Sequence, residues 1–344
     1  MSPVIKSGLS STHQPPPVSI VLAVHNQAVE LKRNLPILLS LQYDPGYEVV
    51  VVDESSTDET EEVLKLLKNQ FAHLYTTYIP ANSHYVSRDK LALTVGIKAA
   101  HHEWIVITEA NCYPENELWL NTMAEYMTEE VDVVCGYTAY CKGTKGRYSF
   151  LRMMNFWRQR HRAYRYDGAN LAIRKSAFMK RDGFLKNLKY LRGEYDFLVN
   201  ETERGRIAVA RQPDARMRQM EPTQKEWRNT HLFYMQIRSH LHHAFLSRLL
   251  FVVTQAGIHL SYLFAIVALA YFIYLRHSVY IAITVAFLLL FIAFRTFFGY
   301  RLSKSYGESI ALWKLPFLDL GVAWHYVLFW LRYVLSNKHD FIRK

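Results

Sequence analysis

The segment VVVVDESSTDET, residues 49–60, decides the fold class of this chain. Four successive β-branched valines are typical of a strand buried on both faces, as in a parallel sheet. Asp53, Glu54 and Ser55 would then lie at the carboxyl end of that strand, where open α/β sheets bind ligands. A capped strand-to-helix turn that binds nothing is the alternative interpretation of this segment alone.

A second apolar run, VSIVLAV at residues 18–24, precedes this segment and ends in the polar tripeptide HNQ. Leucines within residues 31–41 recur at helical spacing between the two runs. The order of strand, helix, strand and helix predicts a βαβ unit. Neither G-x-G-x-x-G nor G-K-[ST] accompanies the unit, which argues against dinucleotide and Walker-type phosphate sites.

Four ordered segments give a specific resemblance. They are residues 16–64, RDKLALTVGIKAAHHEWIVITEANCYP at 88–114, YDGANLAIRKSAF at 166–178 and LRGEYDFLVNE at 191–201. In this order they resemble glycosyltransferase family 2, over residues 18–244. The resemblance implies an α/β GT-A nucleotide-sugar-binding fold, with a mostly parallel central sheet flanked by helices, in a membrane-anchored member of bacterial type.

Composition divides the chain into five predicted parts. Residues 1–17 form a flexible arm, 18–222 the GT-A catalytic domain, 223–247 an amphipathic interfacial helix, 248–300 a two-helix transmembrane hairpin, and 301–344 an interfacial or third transmembrane helix with a basic tail. The arm lacks the basic start and apolar core of a signal peptide.

The membrane prediction rests on two long apolar runs in tandem, residues 249–275 and 280–300. A hydrocarbon core about 30 Å thick needs roughly 20 helical residues, so each run can cross it. Basic residues outside the runs place both flanks in the cytoplasm, namely Arg238, Arg248, Arg301 and Lys304. The third apolar region, residues 310–335, contains charges that are costly in lipid, so an interfacial or re-entrant helix is expected, with a third span as the alternative.

The resemblance also implies which residues bind the donor: His25, Asn26, Asp53, Glu54, Lys90, Glu109 and Arg238. Lys90 opens a segment in which Leu91, Val95 and Ala99 recur at helical spacing, which predicts an amphipathic helix. The start of this helix would bring the Lys90 ammonium near the donor diphosphate. A solvated surface lysine is the alternative.

A metal site is implied at WIVITEAN, residues 104–111. Family members carry D-x-D here, and its last acid binds a divalent metal, whereas this chain has Glu109, Ala110 and Asn111. Magnesium and manganese prefer oxygen ligands, and Asn111 supplies only an uncharged one. We therefore expect Mn²⁺ or Mg²⁺ binding by Asn111 and Glu109 to be weakened or dispensable, with a decayed site as the alternative.

For the acceptor side, the resemblance places the general base on Glu194, with Asp196 as the alternative base. A carboxylate there can accept the proton of the acceptor hydroxyl. Gly168, which permits close backbone approach, and Asn170, which can hydrogen-bond a sugar, are the expected acceptor-binding residues. Two carboxylates at the start of an exposed helix are the non-catalytic interpretation.

Residues 223–243 are basic and aromatic and precede the first apolar run. Processive relatives carry Q-x-x-R-W in such a segment, but here Gln236 and Arg238 are misspaced and Trp227 lies upstream. This disfavours a cellulose- or hyaluronan-type polymerase. Arg238 is expected to reach the diphosphate, and an anchor at the membrane interface is the alternative.

The net charge of +11 and the three cysteines without zinc-type spacing narrow the function classes. No nucleic-acid motif is present, so the charge indicates a membrane surface and a phosphate-bearing donor. We expect an inverting hexosyltransferase that moves a sugar from a nucleotide-sugar donor to a lipid-linked or cell-surface glycan. The expected donor is UDP-linked. The enzyme would act at the cytoplasmic face of the cell membrane, in cell-envelope polysaccharide biosynthesis. The alternative is a catalytically degenerate scaffold that binds a nucleotide sugar or a partner enzyme.

Overall fold

A computed structural model describes residues 14–80, 87–160 and 163–336. Most of the predicted N-terminal arm and the end of the predicted basic tail lie outside these residues.

The central sheet has seven strands whose order brings polar residues together at one edge. From one side to the other they are β3 (Leu74–Tyr78), β2 (Tyr47–Asp53), β1 (Val18–Val24), β4 (Trp104–Thr108), β8 (Leu171–Arg174), β6 (Val133–Cys135) and β9 (Ile207–Val209). The first four are mutually parallel, and β8 runs antiparallel to both of its neighbours. The register pairs Val24 with Asp53 and Leu22 with Thr108, so the carboxyl ends of β1, β2 and β4 are adjacent. The predicted α/β fold with a mostly parallel sheet is confirmed.

Helices cover both faces of the sheet because alternate strand residues point to opposite sides. Ile20 and Leu22 enter one apolar core with Leu35, while Val21 enters the other with Leu93. The helices before the C-terminal region are α1 (Ala28–Leu39), α2 (Thr60–Gln70), α3 (Arg88–Ala99), α4 (Trp119–Ala124), α5 (Gly146–Gln159), α6 (Lys175–Lys180) and α7 (Glu194–Asn200).

Helix α3 forms where it was predicted, but its buried face differs from the predicted one. Leu91, Val95 and Ala99 were expected to share the core face. The structure instead buries Lys90, Leu93 and Ile97 on that helix. These three positions follow i, i+3, i+7 spacing, and the first of them is Lys90. The sequence analysis expected this lysine at the donor site or on the surface.

A second, three-stranded sheet lies beside the first and carries residues of the site. It consists of β5 (Cys112–Pro114), β10 (Met217–Gln219) and β7 (Thr138–Tyr140). Strand β10 is antiparallel to β5 and parallel to β7. This sheet therefore places residue 219 next to the segment that leaves β4.

The C-terminal region is helical: α8 (Gln224–Ile237), α9 (Phe245–Tyr274), α10 (Ser278–Ser305) and α11 (Leu315–Leu335). Thr223 and Glu226 form a reciprocal capping box at the start of α8. Among the described helices, α9 and α10 are long and apolar enough to cross a membrane, and only 11% and 6% of their most apolar windows are buried. A core helix of a soluble protein would be mostly buried, so the two helices could span a membrane.

Asp319, one of the charged residues of α11 that would be costly in lipid, is paired with an arginine of α10. Arg295 of α10 donates from Nη2 to Asp319 Oδ1 at 2.6 Å and from Nε to Oδ2 at 2.8 Å. Asp319 is buried. A bidentate pair of this kind offsets part of the penalty of removing two charges from water.

Candidate active site

A cavity of about 1000 Å³ opens at the carboxyl edge of the central sheet. It is lined by the ends of β1, β2 and β4, by α5 and α8, and by residues 191–196. Of the predicted site residues, it brings together the following: His25, Glu54, Glu109, Asn111, Gly168, Glu194 and Asp196.

The β1 and β2 ends form the first wall. His25 Nδ1 lies 3.2 Å from the backbone carbonyl of Glu54. Burial, followed by the nearby Asp89 carboxylate, raises the pKa of Glu54 to about 8. Near neutral pH this side chain is therefore largely protonated and can donate a hydrogen bond as well as accept one.

Asp53 and Asn26, also predicted to bind the donor, do not line this cavity in the described structure. Asp53 Oδ1 accepts from the backbone amide of Ser56 at 3.1 Å and from its hydroxyl at 2.5 Å. Asn26 Oδ1 accepts from the backbone amide of Thr57 at 2.7 Å. Both residues fix the loops that carry His25 and Glu54.

Arginine side chains supply positive charge next to this wall. Arg88 Nη2 donates to the carbonyl of Glu54 at 2.8 Å. Arg192 Nη1 lies 2.6 Å from Asp89 Oδ2 and 3.8 Å from Glu194 Oε1. Neighbouring carboxylates, Asp89 foremost, raise the pKa of Arg192 above its usual range, so it remains a cation.

Lys90 is not in the cavity, in contrast to the prediction. It is fully buried. Its Nζ donates to the carbonyls of Asn187 at 3.2 Å and Arg192 at 3.3 Å, and also to that of Tyr190. Burial lowers the pKa of Lys90 to about 8. Lys90 therefore holds the loop that presents Arg192 and Glu194.

Arg238 is likewise outside the cavity lining. It follows α8 in a short 3₁₀ turn, and its Nη1 lies 3.5 Å from Met235 Sδ. Its backbone carbonyl accepts from Arg248. These contacts join the end of α8 to α9, and they do not place Arg238 at the proposed diphosphate site; its alternative role as an anchor at the membrane interface stays a prediction.

Glu109 and Asn111, the predicted metal ligands, are joined by a residue that the sequence did not indicate. Gln219 Nε2 donates to Glu109 Oε2 at 3.0 Å and to Asn111 Oδ1 at 3.3 Å. Gln219 Oε1 accepts from Arg152. Among the described residues, no group of three or more His, Cys, Asp or Glu side chains could hold a metal ion.

The two candidate bases differ in how their oxygens are used. Glu194 begins α7 after Gly193, whose φ of +96° favours glycine. Its Oε2 is buried with no hydrogen-bond partner in the described structure, and burial raises its pKa. Asp196 Oδ1 instead accepts from the Tyr166 amide at 3.2 Å and lies 3.3 Å from Arg165 Nε. Of the two residues, Glu194 is the one with an oxygen that is buried without a hydrogen bond.

Burial raises the pKa of Asp196 to about 6, although Arg165 opposes this. Arg165 is itself buried; its Nη2 lies 3.3 Å from Asp167 Oδ2 and its guanidinium carbon 3.6 Å from the Tyr234 ring centre. Asp167 Oδ2 also accepts from Asn155 Nδ2 at 3.0 Å. Asp196 is therefore part of a fixed polar network in the cavity wall.

Of the two predicted acceptor residues, the structure places only Gly168 at the cavity. A Cβ there would lie 2.5 Å from the Tyr166 hydroxyl, so glycine is needed for close packing. Asn170 is fully buried. Its Nδ2 donates to the carbonyls of Ala215 at 2.7 Å and Tyr137 at 3.3 Å, and its Oδ1 accepts from Trp119 Nε1 at 3.1 Å. Asn170 is a structural residue.

The helix predicted to lie at the membrane interface forms another wall of the cavity. Trp227 and Tyr234 of α8 are buried, and His231 lies between them. Burial lowers the pKa of His231 to about 4, so it is neutral near pH 7. From α11, Tyr326 lines the cavity and donates to Asn155 Oδ1 at 2.7 Å. The C-terminal helices are thus joined to the site.

Sequence reasoning missed the following cavity residues: Arg152, Arg165, Arg192, Gln219 and Tyr326. Arg192 lies in a quoted motif, and its position beside Glu194 was the available signal. The others belong to segments without a recognisable motif, and only the fold brings them to the carboxyl edge.

Comparisons with known proteins bear on the family and the fold. Residues 19–187 match the family model described as glycosyl transferase family 2. No curated protein sequence matches the chain.

Solved structures with similar folds include the mannosyltransferase PcManGT from Pyrobaculum calidifontis, in complex with GDP-Man and Mn²⁺. It has a TM-score of 0.51 and 18% identity, over 65% of this chain and 62% of that one. Another is TarS 1–349 from S. aureus in complex with UDP-GlcNAc, with a TM-score of 0.46 and 15% identity over 63% and 65% of the two chains. This chain therefore spans somewhat less than two thirds of each of these proteins. From the family match and the sheet order, residues 19–187 form a glycosyl transferase family 2 domain, and the chain has the GT-A fold.

Proposed function

We propose that this chain is a glycosyltransferase that inverts the anomeric centre of a sugar as it moves the sugar from a nucleoside diphosphate to an acceptor hydroxyl. The observation that carries the proposal is the Glu194 carboxylate, which lines the cavity. Its Oε2 is buried and has no hydrogen-bond partner among the described residues. A base that must receive a proton needs such an uncommitted oxygen. In this proposal Asp196, paired with Arg165, holds the residues of the cavity wall in position.

In the proposed reaction, Glu194 accepts the proton of the acceptor hydroxyl while its oxygen attacks the anomeric carbon. The bond from that carbon to the diphosphate oxygen breaks, and its electron pair leaves with the nucleoside diphosphate. The raised pKa of Glu194 makes it a stronger base than an ordinary glutamate. It also moves the acid limb of the pH–rate profile upward, because the base acts only when deprotonated.

The donor binds, in this proposal, along the wall formed by β1 and β2. His25 and Glu54 contact the nucleoside, and Asn26 and Asp53 hold their loops in place. A protonated Glu54 offers a donor and an acceptor to the polar edge of a base. A uracil or guanine edge suits that pair, and a UDP-linked sugar is the donor we favour.

The acceptor is proposed to be lipid-linked or a cell-surface glycan, reached from the cytoplasmic face of the cell membrane. Helices α9 and α10 would anchor the enzyme as a hairpin, with its basic flanks on the side of the catalytic domain. The link from Tyr326 through Asn155 into the cavity supports an acceptor that arrives along the helical region. Helix α11 would then lie against the domain at the interface.

The test is sugar transfer by the detergent-purified chain from a panel of UDP- and GDP-sugars to lipid extracts. Glu194→Gln should lower kcat at least about 100-fold, since a general base contributes about 10²–10⁴-fold, while nucleotide affinity stays unchanged. Glu203→Gln, at an exposed position outside the cavity, is the matched control. Unchanged transfer in Glu194→Gln would refute the assignment. Nucleotide-sugar binding without any turnover in the wild type would support the scaffold alternative.

A further inference from the structure

The Glu109–Asn111 segment lies where a divalent metal would be expected in this fold, but hydrogen-bond donors already face its oxygens. Gln219 Nε2 is 3.0 Å from Glu109 Oε2 and 3.3 Å from Asn111 Oδ1. The Cys112 thiol, 3.1 Å away, also donates to Asn111 Oδ1. Asn111 Oδ1 thus has both of its lone pairs engaged.

The orientation of the Gln219 amide is fixed by chemistry. Its other end contacts Arg152 Nη1, and a guanidinium has donors only. The amide oxygen must therefore face Arg152, and the NH₂ group must face Glu109 and Asn111. A metal ion needs oxygen lone pairs directed at it, so these residues do not fit a divalent cation.

Arg152 differs from the other cavity arginines in its charge balance. Arg88 lies 4.0 Å from a Glu54 oxygen, Arg165 is paired with Asp167 and Asp196, and Arg192 is paired with Asp89. Within the described part of the chain, Arg152 makes no ion pair, and its one hydrogen bond goes to the neutral Gln219 amide.

Arg152 is also held rigidly. It projects from α5, and its guanidinium carbon lies 3.8 Å from the centre of the Tyr140 ring. Stacking on an aromatic face is a geometry that arginine favours and lysine does not reproduce. The result is a preorganised cation at the cavity, which Glu109 also lines.

We propose that Arg152 takes the place of the divalent metal and binds the diphosphate of the donor directly. This inference rests on the proposed function, because it requires a nucleoside diphosphate in the cavity. A planar guanidinium can bind phosphate oxygens through two N–H groups. Gln219 orients that guanidinium and donates to Glu109 Oε2 and Asn111 Oδ1, two oxygens that a metal would otherwise use.

The test is calorimetric binding of UDP and GDP to the purified full chain, with EDTA or with Mn²⁺. In the wild type, Mn²⁺ should change the Kd less than threefold relative to EDTA. Arg152→Gln should raise the Kd at least fivefold under both conditions. Arg158→Gln, on the same helix but outside the cavity lining, should bind like the wild type.

Two results would overturn the inference: wild-type binding strengthened threefold or more by Mn²⁺, or a smaller loss of affinity in Arg152→Gln. The metal comparison uses the wild type alone, so it decides the matter even if the variant does not fold. Metal-dependent binding would refute the inference and leave the proposed function intact. Failure to bind either nucleotide under both conditions would refute both.

Discussion

Replacing Asn170 by alanine tests whether this residue is structural or binds the acceptor. The change removes two hydrogen bonds to the carbonyls of Ala215 and Tyr137 and leaves the buried Trp119 Nε1 without its partner. Each lost bond contributes about 1 kcal/mol, and the orphaned indole donor costs about 1–3 kcal/mol. We expect the free energy of unfolding to fall by about 3–5 kcal/mol.

For a domain of this size, about 1 kcal/mol corresponds to a shift of roughly 2–4 °C, so Asn170→Ala should melt about 10 °C lower. Thermal unfolding in detergent, followed by tryptophan fluorescence, measures this. Asn69→Ala, at an exposed position on α2, is the control and should melt within about 1–2 °C of the wild type. A variant that melts like the wild type but has a raised KM for the acceptor would refute the structural role.

Three further predictions concern charges and topology. Because the folded-state pKa of Asp196 is about 6 rather than 3.8, its ionisation removes stability as pH rises from 4 to 6. Relative to that of the wild type, the free energy of unfolding of Asp196→Asn should therefore rise by up to about 3 kcal/mol between pH 4 and pH 7. Melting curves in which this difference does not change with pH would contradict the prediction. Arg295→Leu should destabilise by about 3–5 kcal/mol by leaving Asp319 buried and unpaired, and adding Asp319→Leu should restore most of it; additive losses in this double-mutant cycle would refute the pairing. In intact cells, an impermeant maleimide should label Ser278→Cys but not Ser305→Cys, and the reverse pattern would refute the proposed orientation.

The parts of the fold that the sequence predicts are those with strong local signals. Strand β1 coincides with the apolar run at residues 18–24, and β2 extends the valine run by two residues to Tyr47. Burial on both faces leaves a continuous apolar run, which is readable without any knowledge of neighbours. The tandem apolar helices are also continuous apolar runs, although little of their surface is buried within the protein.

Lys90 marks the limit of such local patterns. A lysine at the start of a helix is ordinarily solvated or bound to an anion. Here three backbone carbonyls between residues 187 and 192 surround it. Those acceptors lie about a hundred residues away in the chain, so only tertiary structure could reveal a buried, satisfied ammonium.

The site residues also divide into those that a local motif indicates and those that only the tertiary structure reveals. Glu194 and Glu109 are recognisable because they stand at motif positions. Gln219 and Arg152 are not recognisable, since each belongs to a segment without a motif. Only the folded chain brings β10 and α5 next to the end of β4, where the two side chains contact each other. Asn170 was misjudged for the opposite reason. Its motif is recognisable, but the Trp119 indole of α4 and the carbonyls of Tyr137 and Ala215 hold the buried side chain.

The contact of Tyr326 with Asn155 has a practical consequence for how this chain can be shortened. A fragment that stops before α9 would lack the two apolar helices, but it would also lack Tyr326, and Asn155 Oδ1 would lose its partner. Asn155 also holds Asp167, so truncation would loosen the polar network beside Glu194 and Asp196. Removing the apolar helices would therefore also remove part of the cavity wall, and binding and transfer are best measured on the full chain.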